Sequence, residues 1–160
     1  MTDRLFVAAW PDADSTETLH RLVDDVGSDA GLVPPESWHV TLRFLGDVDT
    51  DAITRRLESV VLPATIAQLG PEVVVLGRHL VVPVSGVDEL AAAVRAATVD
   101  VGTPADHQFV GHLTLGSVRH RNDLHGRRID RSFPVDEVHL VRSEPGRRYE
   151  TVTTLATTAS

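Results

Sequence analysis

The chain writes the same short pattern twice, and the repetition reaches beyond the pattern itself. His39-Val40-Thr41-Leu42 and His112-Leu113-Thr114-Leu115 lie seventy-three residues apart, and each ends a strand–helix–strand unit. From Leu5 to His39 is 34 residues, and from Leu80 to His112 is 32. Such a period indicates a duplicated supersecondary unit whose copies share a buried core. No Gly-, Ser- or Pro-rich linker separates the halves, so a single domain over residues 1–160 is expected, with repeat units of about 4–76 and 79–157.

The first unit opens with the apolar run 5–10, a buried strand ended by Pro11. Asp14 and Glu17 read as a helix cap, followed by Leu19, Leu22, Val23 and Val26 at helical spacing and a stop at Gly27. Pro34-Pro35 closes the loop before the His39 strand. Ile53, Leu57, Val60 and Val61 line a second helix, and 64–70 and 72–76 read as strands. The second unit has a strand at 79–84, a helix capped by Ser85 with Val87, Leu90 and Val94 inward, and then the His112 strand. The polar stretch 121–131 reads as a short helix, with strands at 135–141 and 149–155. The fold class expected is α+β: two pseudo-symmetric lobes of antiparallel sheet, helices packed outside, and a central cleft.

Strand alternation puts His39, Thr41 and Arg43 on one face and Val40, Leu42 and Phe44 on the other. His112 and Thr114 likewise oppose Leu113 and Leu115. His and Thr two apart on a strand are separated by about 6.5–7 Å, a span suited to a phosphoryl group. Two such strands about an approximate twofold axis place an imidazole on each side of one phosphorus. In-line displacement needs a base at the entering oxygen and an acid at the departing one, and imidazole serves as either. Neither metal nor cofactor is required.

These residues, with their surroundings, resemble the 2H phosphoesterase superfamily, named for its two His-x-Thr/Ser motifs. The likeness is greatest to the RNA 2′,3′-cyclic phosphodiesterases, formerly described as 2′-5′ RNA ligases. "RLFVAAW", "VPPESWHVTLRFLGDVD", "FVGHLTLGSVR", "VDEVHLVRSE" and "GRRYE" stand in the family's order across nearly the whole chain. The resemblance implies a bilobal fold and metal-independent hydrolysis of a 2′,3′-cyclic phosphate to a 2′-phosphomonoester. It implies His39 as general acid, His112 as general base, and Thr41 and Thr114 as holders of non-bridging oxygens, with Arg43 as a further phosphate contact. The family's second motif commonly has Pro before the His and Arg five residues after it. Here Gly111 and Ser117 occupy those positions. Arg119, two residues on, is the candidate replacement for the missing Arg, with Arg147 or Arg148 as another. Phe109 is a candidate for stacking on a nucleobase.

Composition narrows the alternatives. Cysteine is absent, and all 15 basic residues are Arg, which excludes thiolate and lysine chemistry. The net charge of −8 favours a short or terminal substrate over a long polyanion, although Arg is concentrated in the C-terminal third. The partners expected are RNA 2′,3′-cyclic phosphate termini or small cyclic nucleotides, with no metal and no membrane, and a monomer. No run approaches the roughly 18 apolar residues of a membrane helix, and no secretory leader is legible, so a cytoplasmic protein is expected. The spacing of Asp47, Asp49, Asp51 and Glu58 imitates a calcium loop, but Ala52 stands where the turn needs Gly; a helix N-terminus is the better reading. The other histidines lack zinc-site spacing. Two rival functions remain open. One is a non-catalytic module holding a nucleotide or 2′-phosphate in the same cleft; the other is ligation, the reverse reaction, which abundant water disfavours.

Overall fold

The computed structural model describes residues 2–25, 32–103, 108–117, 124–145 and 148–158. Among these residues, nine strands and three helices form a curled antiparallel α+β fold. The strands are β1 (Thr2–Ala9), β2 (Val40–Asp49), β3 (Thr65–Leu69), β4 (Val74–Leu76), β5 (His79–Ser85), β6 (His112–Ser117), β7 (Arg131–Val135), β8 (Glu137–Glu144) and β9 (Arg148–Ala156). Their order is β7-β3-β5-β6-β2-β1-β8-β9, and β4 pairs with β5 outside that path. The helices are α1 (Ala13–Asp25), α2 (Thr50–Glu58) and α3 (Asp88–Ala97).

The sheet is two half-sheets joined at one register pair, Val40 opposite Leu113. The halves are not the two sequence repeats. β3, from the first repeat, pairs with β5 of the second. β8, from the second, pairs with β1 of the first. The helices cross as well: α1 packs on β7 and α3 on β2. Each lobe therefore contains strands from both repeats, and neither half of the sequence owns a complete lobe.

One face of the sheet carries the helices and a single core uniting Leu5, Val7, Val40, Leu42, Leu113 and Leu115 with Leu19, Leu57 and Leu90. Among the described residues the other face carries no helix and holds a small cluster, Phe6, Ala8 and Val141 with Trp10 against it. This helix-free face is the cleft.

Several local expectations shift. The side chain that caps α1 is Asp12, which accepts from the Ser15 amide at 2.9 Å, not Asp14. Asp49 caps α2 through the Asp51 amide at 3.0 Å, so the acidic run is a helix N-terminus. That helix ends at Glu58, and Val60 and Val61 lie beyond it, exposed instead of buried. Ser85 belongs to β5, opposite Gln68, and makes no cap for α3. In place of the expected helix, 124–126 is a turn that leads toward β7. β7 is an edge strand with Phe133 and Val135 inward, and an edge accommodates Pro134, which has no amide to donate. Residues 26, 27, 104, 107, 119–123 and 147 lie outside the described residues.

Candidate active site

Both motif strands carry a β-bulge at the same place. Between β1 and β2, Ala8 pairs with Thr41 but Val7 pairs with Arg43, so Leu42 is the extra residue. Between β5 and β6, Val81 pairs with Thr114 but Leu80 pairs with Gly116, so Leu115 is the extra residue. A bulge shifts the alternation by one. Before it, His39, Thr41, His112 and Thr114 share the cleft face. After it, Arg43 turns into the core and Phe44 comes up onto the cleft, opposite Phe6. Counting one residue outward from the Val40–Leu113 pair sets His39 beside Thr114 and Thr41 beside His112. The two histidines are then diagonal neighbours, about 7–8 Å apart at the backbone.

The imidazoles are anchored alike. His39 Nδ1 lies 2.7 Å from the Ser37 carbonyl oxygen, and His112 Nδ1 lies 2.7 Å from the Val110 carbonyl oxygen. A carbonyl only accepts, so each Nδ1 carries a proton and donates it. Each Nε2 is left outside that anchor, as the ring nitrogen able to take or give a proton. At His39, Nε2 accepts from the Thr41 hydroxyl at 3.0 Å. The Pro35–Ser37 3₁₀ turn, started by Pro34-Pro35, presents the Ser37 carbonyl.

Their surroundings differ. His39 sits inside aromatic rings: Phe6 at 5.0 Å, Trp10 at 5.1 Å and Tyr149 at 5.4 Å between centroids. These come from β1, the residue after it, and β9. Burial among them pushes the His39 imidazole below its ordinary proton affinity; the Ser37 carbonyl opposes that shift, and nearby His112 adds to it. That electrostatic influence of one imidazole on the other is consistent with a shared cleft. No aromatic ring packs on His112 among the described residues. Gly111 beside it explains one departure from the family pattern. A Cβ there would stand 2.3 Å from the Val84 carbonyl oxygen, and the Val84 amide in turn donates to the Gly111 carbonyl at 2.9 Å. The close backbone approach admits only glycine.

The structure thus brings four of the expected residues to one face: His39, His112, Thr41 and Thr114. Arg43 is corrected. It is 6% exposed, and its guanidinium donates to the Thr98 hydroxyl and to the Thr98 and Val101 carbonyls at the C-terminal end of α3. The Leu42 bulge is the cause, and the result is a helix-end cap instead of a phosphate contact. Phe109 is corrected as well: it packs on the helix-side core, with the Arg95 guanidinium 5.9 Å from its ring. Arg119 lies outside the described residues. Sequence reasoning missed Phe6, Tyr149 and Phe44 as cleft aromatics. Phe44 is 43% exposed with the Arg4 guanidinium 5.2 Å from its ring. In the sequence Phe6 and Tyr149 are only parts of strands, and nothing local says which ring meets which histidine.

Comparison with known proteins agrees with this geometry. Residues 10–67 match the family described as LigT like Phosphoesterase. An Archaeoglobus fulgidus protein named RNA 2′,3′-cyclic phosphodiesterase is 31% identical over 134 residues, covering 74% of each chain. The fold resembles that of E. coli LigT complexed with 3′-AMP (TM-score 0.81, 24% identity, 99% of each chain). It also resembles a Thermus thermophilus protein (TM-score 0.77, 22% identity, 96% of this chain and 97% of that one). The duplicated His-x-Thr strands, the interleaved antiparallel sheet and the extended relationship in sequence lead to one conclusion: this chain belongs to the LigT-like phosphoesterases of the 2H superfamily.

Proposed function

We propose that this phosphoesterase hydrolyses 2′,3′-cyclic phosphates, at RNA ends or in small cyclic nucleotides, to 2′-phosphomonoesters without a metal. The observation that carries the reading is the matched anchoring of His39 and His112. Each gives its Nδ1 proton to a carbonyl two residues upstream and keeps Nε2 for the shared face. His112 Nε2 takes a proton from water as the water oxygen attacks phosphorus. The bond from phosphorus to the 3′ oxygen breaks, and that oxygen takes the proton held on His39 Nε2. The 2′ oxygen keeps the phosphate. General acid–base help of this kind is worth about 10²–10⁴-fold.

The aromatic enclosure suits His39 to the acid role. A desolvated imidazolium gives up its proton readily, and a bound phosphodiester anion favours loading that proton beforehand. The Thr41 hydroxyl, now on His39 Nε2, turns to a non-bridging oxygen when substrate arrives, and Thr114 serves another.

The test is incubation with the four nucleoside 2′,3′-cyclic phosphates in EDTA. The expected product is the 2′-monophosphate, lost in His39→Ala and His112→Ala. Ser117 on β6, where relatives commonly carry Arg, favours a second reading: a module that binds a nucleotide or 2′-phosphate without turnover. Tight binding with no product in the same experiment selects that module.

A further inference from the structure

Beside His39, on the same face, a groove of about 800 Å³ runs out between the 34–37 turn and β8–β9. It adjoins the His39 side of that face. Trp10 and Tyr149, whose rings pack on His39, form part of its wall, and so does Ser37, which anchors that imidazole. Tyr149 is 36% exposed there. On the far side of Thr41 along β2, Phe44 presents a second exposed ring to the cleft. The histidine face therefore carries two exposed aromatic surfaces, Trp10 and Tyr149 beside His39 and Phe44 further along β2. A mononucleoside cyclic phosphate has one base and covers one of them.

Charge decides what the groove accepts. Arg148 lines it together with two carboxylates, Glu36 and Glu144. Among the described lining residues the two carboxylates offset Arg148, and His139 stands beside them, so the groove gathers no excess of fixed positive charge for a phosphate. The two carboxylates suit a flat ring whose edge offers N–H donors, because ionised carboxylates only accept hydrogen bonds. Aromatic walls stack on any base, and an exocyclic amino group then reaches the carboxylates.

Resting on the phosphodiesterase reading above, we infer that this groove is a subsite for the base of the nucleotide preceding the cyclic phosphate, so that the preferred substrate is an RNA end at least two nucleotides long. The terminal nucleoside lies toward Phe44 with its phosphate between the histidines. The preceding base lies toward Tyr149. Cytosine, adenine and guanine carry the amino group that the carboxylates accept from, and uracil does not.

The experiment compares binding of cytidylyl(3′-5′)adenosine 2′-phosphate with adenosine 2′-phosphate by calorimetry, so the readout does not depend on turnover. The dinucleotide is expected to bind about ten-fold tighter or more, the scale of one base stacked on an aromatic ring. Thr151, on the groove wall, is then replaced. Thr151→Trp fills the groove, removes that advantage, and leaves adenosine 2′-phosphate binding and adenosine 2′,3′-cyclic phosphate hydrolysis unchanged. Equal affinities in the unaltered protein overturn the subsite, and that comparison needs no variant to fold. An advantage that persists in folded Thr151→Trp overturns its location. Absence of hydrolysis with the ten-fold preference intact sinks the phosphodiesterase reading and keeps the subsite.

Discussion

The two motif strands have the same backbone and different neighbours. Both run antiparallel to each other through the middle of the sheet, both bulge at the Leu after Thr, and both tie Nδ1 to the carbonyl two residues back. Yet His39 is walled by Phe6, Trp10 and Tyr149, and His112 follows a glycine pressed against β5. The two strands share what orients the imidazole. They differ in what surrounds it. A matched backbone frame can thus hold two imidazoles in unlike surroundings, which is what the proposed acid and base would need.

The comparison breaks most visibly at the histidines. His39→Asn and His112→Asn are each expected to lower kcat/KM for a cyclic nucleotide by about 10²–10⁴-fold in protein that remains folded. A variant of either that keeps full activity removes that residue from the chemistry. Thr41→Val and Thr114→Val test the shared phosphate grip. Each is expected to cost roughly ten- to hundred-fold, the range for a hydrogen bond to a charged group. A tenfold gap between the two would show that the halves hold the phosphate unequally.

Smaller effects separate structure from chemistry. Gly111→Ala drives a Cβ against the Val84 carbonyl and should destabilise the fold by about 1–3 kcal/mol, read as a lower Tm. Arg43→Met removes three hydrogen bonds at the end of α3 and should lower stability by a similar amount, about 1–3 kcal/mol, with activity changed only a few-fold. A hundred-fold loss of activity at unchanged Tm would return Arg43 to the phosphate.

The smallest effect is on pH dependence. Because burial lowers the proton affinity of His39, one limb of the kcat/KM profile should fall below the ordinary histidine value of about 6.5. Tyr149→Ala, which opens the enclosure, should move that limb back up. Stability follows the same sign. The unfolded chain protonates His39 near pH 6.5, whereas the folded chain resists until lower pH. The contribution of neutral His39 is complete above that value and is lost as pH falls through the folded pKa. Urea titrations of the parent and His39→Gln between about pH 7 and 5 should converge as the pH drops. A gap that does not change with pH counts against the buried environment.

The histidines were legible because they stand in a doubled pattern, and one residue of a duplicated strand vouches for its counterpart. The core faces of β1, β2, β5 and β6 were legible for the ordinary reason that apolar residues alternate there. Arg43 and Phe44 were misplaced because alternation holds only while the ladder is regular. Nothing in Thr-Leu-Arg-Phe announces that Leu42 will be skipped by its partner strand. Phe109 was misplaced for a related reason: its neighbour Gly111 approaches β5 so closely that the preceding chain is drawn to the helix side, where Arg95 meets its ring. The edge strand β7 was hidden by its own polarity, since an edge packs on one side only.

The sequence alone determined an α+β chain in which a strand–helix–strand pattern and its His-x-Thr motif recur, because periodicity and repetition are properties of neighbouring residues. Tertiary structure decided that the units interleave, that Arg43 closes a helix, and that Trp10, Phe6 and Tyr149 enclose only one of the two imidazoles. Those outcomes depend on which strands pair and at what register. That is settled by the joint burial of surfaces more than a hundred residues apart, as where β9 brings Tyr149 to His39, and no local stretch of the chain encodes it.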